Sequence, residues 1–413
     1  MSMPRWPRYP IGLDFVSFEK PPDGVTPEIV VLKAEDGGTS RGVLYATGKE
    51  RTVVCLMHPR ADMTRHYLIP HMVENGYAFF AQESRWPGTD IMTVHEVLLA
   101  DVAAALTRLR NRNFDSIVLL GNSGAGSLYC LYQAQAATAP PGRLTDTAAG
   151  DPYDLNAFAM SPADGMIFLG AHLGAGKILQ TEIDPSVTDE NDPLSCDPEL
   201  DMYDLANGFR EPPETSTYSE GFLTRYRAAQ ATRVARIDAI ARDRIRDQRT
   251  FRDLANAGET SSAVRRRAML GRTMQVYRLD ANPGSTDPAV QPSQRTYGSL
   301  MSVRPDLSNY AEPGTKILTP RAWLSSWSGL SSRAAVLDNL PLVTVPTLVA
   351  NYASDNAIYP ASAETIYAQS PASDKSRAQF EGDHFGLTAT FERKPLGPKS
   401  AATMILEWLR ARF

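Results

Sequence analysis

The sequence contains few residues of the kinds that metal centres and disulfide frameworks require. Three cysteines, Cys55, Cys130 and Cys196, occur in 413 residues. None lies in a CxxC pair, so we expect reduced thiols that serve in packing. The six histidines include no HExxH motif or other paired-ligand spacing, and a zinc site is not expected. Four of them are interpreted as core or surface residues: His66, His71, His95 and His172.

Charge and hydropathy exclude further classes of protein. Lys plus Arg number 42 against 47 for Asp plus Glu, a net charge of -5, so no basic field exists to bind nucleic acid or anionic lipid. No window holds the roughly 18 uninterrupted apolar residues of a membrane-spanning helix. The N-terminal MSMPRWPRYPIGLDF lacks an apolar run of signal-peptide length. We expect a soluble, cytoplasmic protein without nucleic-acid or membrane partners, and the sequence is silent on oligomeric state.

The composition is that of a folded globular chain, with 43% hydrophobic and 22% charged residues. From about residue 28 to 135, short apolar runs such as TVVCLMH and SIVLLG alternate with helical patterns. The alternation returns in VPTLVANYA, RAQFEG and the final AATMILEWLRARF. Strands that alternate with helices predict an α/β protein with a largely parallel sheet covered by helices.

The middle of the chain, roughly 172–325, has Pro and Gly clusters and few strand-like runs, which indicates an insertion. Segment 181–204 holds nine acidic residues and no Lys or Arg, whereas segment 219–272 holds thirteen Arg against six acids. Apolar residues at helical spacing in the second segment predict a long, Arg-rich amphipathic helix. Its basic face either meets the acidic segment or steers an anionic substrate.

The most informative motif is DSIVLLGNSGAGSLYCLYQAQA, in which an apolar strand runs through Ser123 into a helix. A nucleophile elbow requires small residues two positions before and after the serine, because bulk there blocks the strained turn that exposes the hydroxyl. Gly121 satisfies the first position, and Ala125 stands where the second glycine would be. Gly124 and Gly126 flank that alanine, so the turn remains sterically feasible and Ser123 is the candidate nucleophile.

A serine hydroxyl needs a neighbouring base, and the base needs an acid that fixes its tautomer. SDNAIYP follows the strand VPTLVANYA and places Asp355 on a loop at the carboxyl end of that strand. GDHFG follows RAQFEG and places His384 on the next such loop. Asp355 is the predicted acid, with Asp164 and Asp383 as alternatives.

These motifs, GNSGA, SDNAIYP and GDHFG, occur in the order nucleophile, acid, histidine and resemble those of the serine α/β-hydrolase superfamily, of the esterase and lipase type. The resemblance covers about 1–170 and 330–413. It implies a mostly parallel, eight-stranded sheet with a large, mainly helical lid inserted after strand six. The predicted organisation is therefore a core from 1–170 and 329–413 and a lid from 171–328.

The resemblance also implies an oxyanion hole of two backbone N–H groups. One belongs to Gly124, next after the nucleophile. The loop after the third strand reads His58-Pro59-Arg60 where the family has His-Gly-x, and because proline has no N–H, Arg60 is the expected second donor. His58 would support this loop, and the Arg60 guanidinium either pairs with a substrate carboxylate or points to solvent. Two insert residues either line an acyl pocket or belong to the core: Trp323 and Trp327.

Two glycine-rich segments imitate nucleotide sites. GNSGAG follows the fifth strand instead of opening the first βαβ unit, and the region about 20 residues on lacks the acid that holds a ribose. In MIFLGAHLGAGKI, Ala171 replaces a P-loop glycine and Ile178 replaces the Ser or Thr that binds magnesium. No nucleotide, and no other cofactor, is expected.

The expected function is hydrolysis of a carboxylic ester with a bulky or hydrophobic acyl group, through a covalent acyl-enzyme. The same three residues serve thioesters, lactones, amides, acyl transfer and C–C hydrolysis, which stay open. Position 123 is not Asp, which by resemblance argues against dehalogenase or epoxide hydrolase chemistry. The alternative of another class is a non-catalytic scaffold that binds a small ligand.

Overall fold

The structure is a computed structural model that describes residues 18, 20–387 and 397–413. The N-terminal stretch MSMPRWPRYPIGLDF, interpreted above as lacking a signal peptide, lies outside the described residues. The described residues form ten strands: β1 (Glu28–Lys33), β2 (Thr39–Tyr45), β3 (Thr52–Met57), β4 (Ala78–Glu83), β5 (Ser116–Asn122), β6 (Gly165–Leu169), β7 (Met274–Val276), β8 (Lys316–Leu318), β9 (Thr347–Tyr352) and β10 (Lys375–Phe380).

Eight of these strands form one sheet in the order β1-β2-β4-β3-β5-β6-β9-β10. Strand β2 runs antiparallel to both of its neighbours, and the pairs from β4 to β10 are all parallel. The predicted mostly parallel, eight-stranded sheet is confirmed, and the chain has the α/β-hydrolase fold.

The strand sequences explain their places in the sheet. Central strand β3, TVVCLM, is buried at every residue, as expected where helices cover both faces of a parallel sheet. Edge strand β1, EIVVLK, is mostly exposed and buries Val30 and Leu32. Successive β3 side chains enter opposite layers, since Val53 belongs to one apolar cluster and Val54 to the other.

Helices cover both faces of the sheet. The helices are α1 (Leu68–Glu74), α2 (His95–Arg110), α3 (Gly124–Ala137), α4 (Ala175–Glu182), α5 (Glu220–Asn256), α6 (Ser262–Met269), α7 (Pro305–Ser308), α8 (Pro320–Ala322), α9 (Val336–Asn339), α10 (Pro360–Gln369) and α11 (Gly397–Arg410). The first apolar cluster includes residues of α2, α3, α9 and α10, and the second includes residues of α1 and α11.

The segment between β6 and β9, residues 170–346, is called the inserted segment here; it contains α4–α9 and the antiparallel pair β7–β8. Its longest element is α5, of 37 residues, which matches the predicted Arg-rich helix. The helix begins after Ser219, whose side chain accepts a bond from the Phe222 amide. It ends two residues before Gly258, whose φ is +98°. Because a left-handed residue terminates a helix, α5 ends before the Arg-rich sequence does.

The basic face of α5 meets the acidic segment within the chain. The guanidinium groups of Arg233 and Arg236 lie 2.9 and 2.6 Å from the carboxylate oxygens of Glu190. Part of the positive charge that the sequence concentrates here is therefore neutralised by the neighbouring acidic segment, as the first of the two interpretations expected.

All three cysteines are free, as predicted. Cys55 and Cys130 are buried in the core, as expected for packing residues. Cys196 is exposed, so the packing role predicted for it is wrong. No helix in the described part of the chain is both long and apolar enough to cross a bilayer.

Candidate active site

Ser123 lies in the turn between β5 and α3 with φ 53° and ψ -122°, a conformation that side-chain-bearing residues rarely adopt. The turn is tight because a Cβ on Gly121 would lie 2.6 Å from the Gly126 Cα. A Cβ on Gly126 would lie 2.5 Å from that of Ala171. Gly121 and Gly126 thus form the close approach, and Ala125 is accommodated as a buried residue.

The structure brings Ser123, His384 and Asp355 together. His384 Nε2 is 3.1 Å from Ser123 Oγ, and His384 Nδ1 is 2.8 Å from Asp355 Oδ2. The three residues follow β5, β10 and β9, and the carboxyl ends of parallel strands meet at one edge of a sheet. The strand order therefore joins residues that are far apart in the sequence.

The carboxylate of Asp355 is held rigidly. The side chain is fully buried, and its Oδ1 accepts hydrogen bonds from the amides of Ala357 at 2.8 Å and Ile358 at 2.7 Å. These bonds satisfy one of the two buried carboxylate oxygens. They also leave Oδ2 directed at His384.

The pKa of His384 is set by two opposing effects. Burial lowers the pKa of the imidazole, and the charge and hydrogen bond of Asp355, together with the charge of Asp383, raise it further than burial lowers it. The net result is a pKa above the ordinary value of 6.5. His384 is accordingly the stronger base that proton abstraction from a hydroxyl requires.

The two alternative acids have other roles in the structure. Asp164 directly precedes β6 and therefore lies at the opposite edge of the sheet from Ser123; its Oδ2 accepts from Arg110 at 2.6 Å and the Ile117 amide at 2.7 Å. The Oδ1 of Asp383 accepts from the amides of Phe385 and Leu387 and shapes the loop that carries His384.

His58 has a hydrogen-bond pattern that fixes its tautomer. Its Nδ1 accepts from the amides of Arg60 at 3.2 Å and Ala61 at 2.9 Å, so the proton resides on Nε2. Burial, followed by the charge of Arg60, holds the pKa of His58 well below its usual value, and the ring is neutral. Nε2 lies 2.6 Å from the point that a Cβ on Gly124 would occupy.

This pattern departs from the expected oxyanion loop. The amide of Arg60 was the predicted second donor, but it donates to the His58 ring within its own loop. His58 supports the loop as the resemblance implied, and in addition its Nε2–H lies against Gly124, the residue that follows Ser123.

A pocket of about 650 Å³ opens beside Ser123 and His384. His58, Arg60 and Asp90 belong to its wall, and the inserted segment contributes Leu300. This volume falls within the range of small-molecule sites, about 300–1,000 Å³.

Arg60 lines this pocket, contrary to the interpretation that it points to solvent. Its guanidinium carbon lies 4.6 Å from the centre of the Trp327 ring. Trp323, in contrast, is fully buried and donates from Nε1 to Asp238 at 2.7 Å. The two tryptophans were expected to line an acyl pocket or to belong to the core: Trp327 lies behind a pocket residue, and Trp323 belongs to the core of the inserted segment.

The remaining histidines are mostly core residues, as expected. His66, His95 and His172 are buried, and His71 is partly exposed. Burial, followed by the charge of Arg60, lowers the pKa of His172 to about 3. Within residues 18, 20–387 and 397–413, no group of three potential ligands is placed to hold a metal ion.

Sequence reasoning missed Lys316, whose Nζ lies 3.8 Å from the centre of the Trp327 ring and 3.1 Å from Asp90 Oδ2. It also missed Glu182, which lies near both Arg60 and Lys316. Neither residue belongs to a recognisable motif, and only the packing of the inserted segment on the sheet brings them close to Arg60.

No protein-family model matches the chain, and no curated protein matches it. Solved structures similar to it include a DcsB complex with its substrate analogue, at 11% identity and a TM-score of 0.49 over 94% of this chain and 99% of that one. The esterase domain of a Rhodothermus marinus protein matches at 9% identity and 0.42, over 94% and 98%. The Paleococcus ferrophilus monoacylglycerol lipase matches at 13% and 0.39, over 94% and 100%. Similarities this low say nothing about activity, which is inferred below from the side chains.

Proposed function

We propose that the protein is a serine hydrolase that cleaves a carboxylic ester through a covalent acyl-enzyme. The observation that carries this proposal is the hydrogen-bonded series from Ser123 Oγ through His384 to Asp355. A strained serine, a histidine of raised pKa and a buried carboxylate are together what activation of a hydroxyl requires.

In the first half of the reaction, Ser123 Oγ attacks the ester carbonyl carbon while His384 Nε2 takes the hydroxyl proton. The tetrahedral intermediate collapses as the C–O bond to the leaving alcohol breaks, and His384 returns the proton to that alcohol. In the second half, His384 deprotonates a water that attacks the acyl-enzyme, which releases the acid and regenerates Ser123. Asp355 keeps the imidazole in the required tautomer and stabilises the imidazolium.

The developing oxyanion needs donors that are aimed in advance. We infer that the Gly124 amide and the His58 Nε2–H supply them, because the Arg60 amide already donates to His58. His58 Nε2 lies against Gly124, and the ring lines the pocket. The loop amides that bind Nδ1 would keep this N–H pointed away from themselves and toward the pocket.

We further propose that residues 171–328, which make up most of the inserted segment, act as a cap over the site. In support of this, Leu300 of that segment lines the pocket, and Trp327 stacks on Arg60. A pocket of about 650 Å³ accommodates an acyl group larger than acetyl. The cap would then set the acyl preference, with a bulky or hydrophobic group favoured.

The test is covalent labelling by a fluorophosphonate, followed by intact-mass spectrometry, with hydrolysis of 4-nitrophenyl esters of increasing chain length. We expect one adduct per chain in the wild type and none in Ser123→Ala, with kcat reduced at least about 10⁴-fold. Ser127→Ala is the matched control, because Ser127 is a buried serine one turn further along α3. Within the described chain, its hydroxyl donates to the Gly124 carbonyl and makes no other hydrogen bond. This control should retain labelling.

If the folded wild type gives neither adduct nor turnover, the hydrolase proposal fails. A non-catalytic scaffold that binds a small ligand would then be the better description. If adducts form but esters are not cleaved, thioesters, lactones and amides are the next substrates to compare.

A further inference from the structure

Arg60 is half-buried and, unlike the buried arginines of the described chain, has no hydrogen-bond acceptor. Arg278 is bound to Asp184 and Ser186, and Arg233 is bound to Glu190 and backbone carbonyls. Even Arg295, which has no carboxylate partner in the described structure, donates to the carbonyl of Gly284. For the Arg60 guanidinium, no hydrogen bond or ion pair within 4.0 Å is found among residues 18, 20–387 and 397–413. Its contact is the face of Trp327.

One carboxylate in the pocket wall, that of Asp90, already has a cationic partner. Asp90 lines the same pocket as Arg60, but its Oδ2 is 3.1 Å from Lys316 Nζ. That ammonium lies on the same Trp327 ring as Arg60, at 3.8 Å from the ring centre. Asp90 therefore pairs with Lys316, and it acts on Arg60 only through its charge and without an ion pair.

Glu182 does not compensate the charge of Arg60 at neutral pH. Burial, followed by the charge of Asp280, raises the pKa of Glu182 to about 8, although Lys316 and Arg60 act in the opposite direction. The side chain is then mainly uncharged at pH 7. Together Arg60, Lys316, Asp90 and Glu182 carry one net positive charge, and the other two charged residues of the pocket wall, Asp62 and Arg65, have opposite charges.

A guanidinium presents five N–H donors in a planar fork that matches a carboxylate. Because these donors have no acceptor in the described chain, a ligand carboxylate can bind them without breaking an existing hydrogen bond of the protein. The single net charge matches a carboxylate better than a phosphate monoester, which carries nearly two charges. We propose that Arg60 binds a carboxylate on the substrate, so that the preferred ester is a half-ester of a dicarboxylic acid or an ester of a hydroxy acid.

This inference rests on the proposed function, and its test uses two substrate pairs. In the first, the carboxylate is on the acyl part: 4-nitrophenyl hydrogen adipate is compared with 4-nitrophenyl hexanoate. In the second, it is on the alcohol part: 4-butyryloxybenzoate is compared with 4-butyryloxybenzamide. Each pair differs in charge and little in size, so the ratio of kcat/KM within a pair measures the preference for the carboxylate.

We expect the wild type to prefer the acid in at least one pair by about tenfold or more, as for a charged hydrogen bond. Arg60→Gln should lower that ratio about tenfold, and Arg60→Lys should fall between the two because it keeps the charge and loses the fork. Arg65→Gln is the matched control. Arg65 lines the same pocket, but it is exposed and its guanidinium donates to the Phe18 carbonyl; its ratio should equal that of the wild type.

The inference is overturned if neither pair shows a preference, if the preference survives in Arg60→Gln, or if Arg65→Gln removes it equally. Fluorophosphonate labelling of each variant separates these outcomes from failure of the proposed function, since the probe carries no carboxylate. Calorimetric titration of Ser123→Ala with adipate gives a readout without turnover. If adding Arg60→Gln to Ser123→Ala weakens adipate binding about tenfold, the result supports the site. If adipate binds equally with and without Arg60→Gln, or binds neither variant, the result contradicts it.

Discussion

The sheet and the inserted segment are stabilised by different interactions. The sheet is built from strands such as β3 and β6 that are buried at every residue, between two apolar clusters. The inserted segment has smaller apolar clusters and contains buried ion pairs. Arg278 and Asp184, for example, have side chains that are 1% and 0% exposed.

This difference separates two tasks. Apolar strands in fixed register determine where the loops carrying Ser123, Asp355 and His384 meet, and the chemistry depends on that placement. The inserted segment, with its paired charges, contributes Leu300 to the pocket wall and Trp327 to the contact with Arg60, and it leaves Arg60 as an unpaired cation. Changes in the sheet loops should therefore act on kcat, and changes in the inserted segment on stability and substrate preference.

The largest expected effect lies at the sheet loops. Asp355→Asn should lower kcat about 10⁴-fold, because the amide stabilises the wrong tautomer of His384. Activity of the wild type should rise with pH through a midpoint above 6.5, since His384 must lose its proton and Asp355 raises its pKa. The residual activity of Asp355→Asn should have a lower midpoint. A loss of less than tenfold, or an unchanged midpoint in the pH profile, would contradict the assigned role of Asp355.

The next effect concerns the ion pair of the inserted segment. Arg278→Met should lower the free energy of unfolding by about 3–5 kcal/mol, because it leaves the Asp184 carboxylate buried without its cation. Urea denaturation followed by circular dichroism measures this loss. The double variant with Asp184→Asn should recover part of it, since no buried charge then lacks a partner.

Arg246→Met is the matched control for the ion pair. Arg246 pairs with Asp243 on exposed turns of α5, with side chains 73% and 69% exposed. Such pairs contribute about 0.5 kcal/mol or less, so the variant should unfold as the wild type does. Equal losses in Arg246→Met and Arg278→Met would show that burial does not distinguish the two pairs.

A smaller effect on kcat should separate the two proposed roles of His58. An Asn amide can replace Nδ1 as acceptor for the loop amides, whereas a Gln amide reaches the position of Nε2. If Nε2–H binds the oxyanion, His58→Asn should lower kcat about 10²-fold with KM little changed, and His58→Gln should lose less. The opposite ranking in steady-state kinetics would assign His58 to loop support alone.

Much of the fold was predictable because it depends on local patterns. Alternating apolar strands and amphipathic helices indicated the parallel sheet, and dense Arg residues at helical spacing indicated α5. The candidate nucleophile, acid and histidine were found from short motifs at strand ends. The structure places these three side chains at hydrogen-bond distances from one another.

Other features depend on long-range packing, which local patterns do not describe. The elbow was expected to tolerate Ala125, and the structure shows that its close contact joins Gly121 to Gly126. Trp323 was left open between an acyl pocket and the core, and its indole donates to Asp238 in the core of the inserted segment. The Arg60 amide was expected to be available, and the His58 ring accepts it.

The sequence by itself determined which segments form strands and helices, and which residues carry reactive groups at the ends of strands. These properties follow from side-chain periodicity and turn sterics over a few residues. Only the tertiary structure decided which histidine nitrogen faces Gly124, which tryptophan backs the pocket and which arginine remains unpaired. Hydrogen-bond acceptors and counter-charges come from residues distant in sequence, so the state of a charged or polar group is known only when all its neighbours are in place.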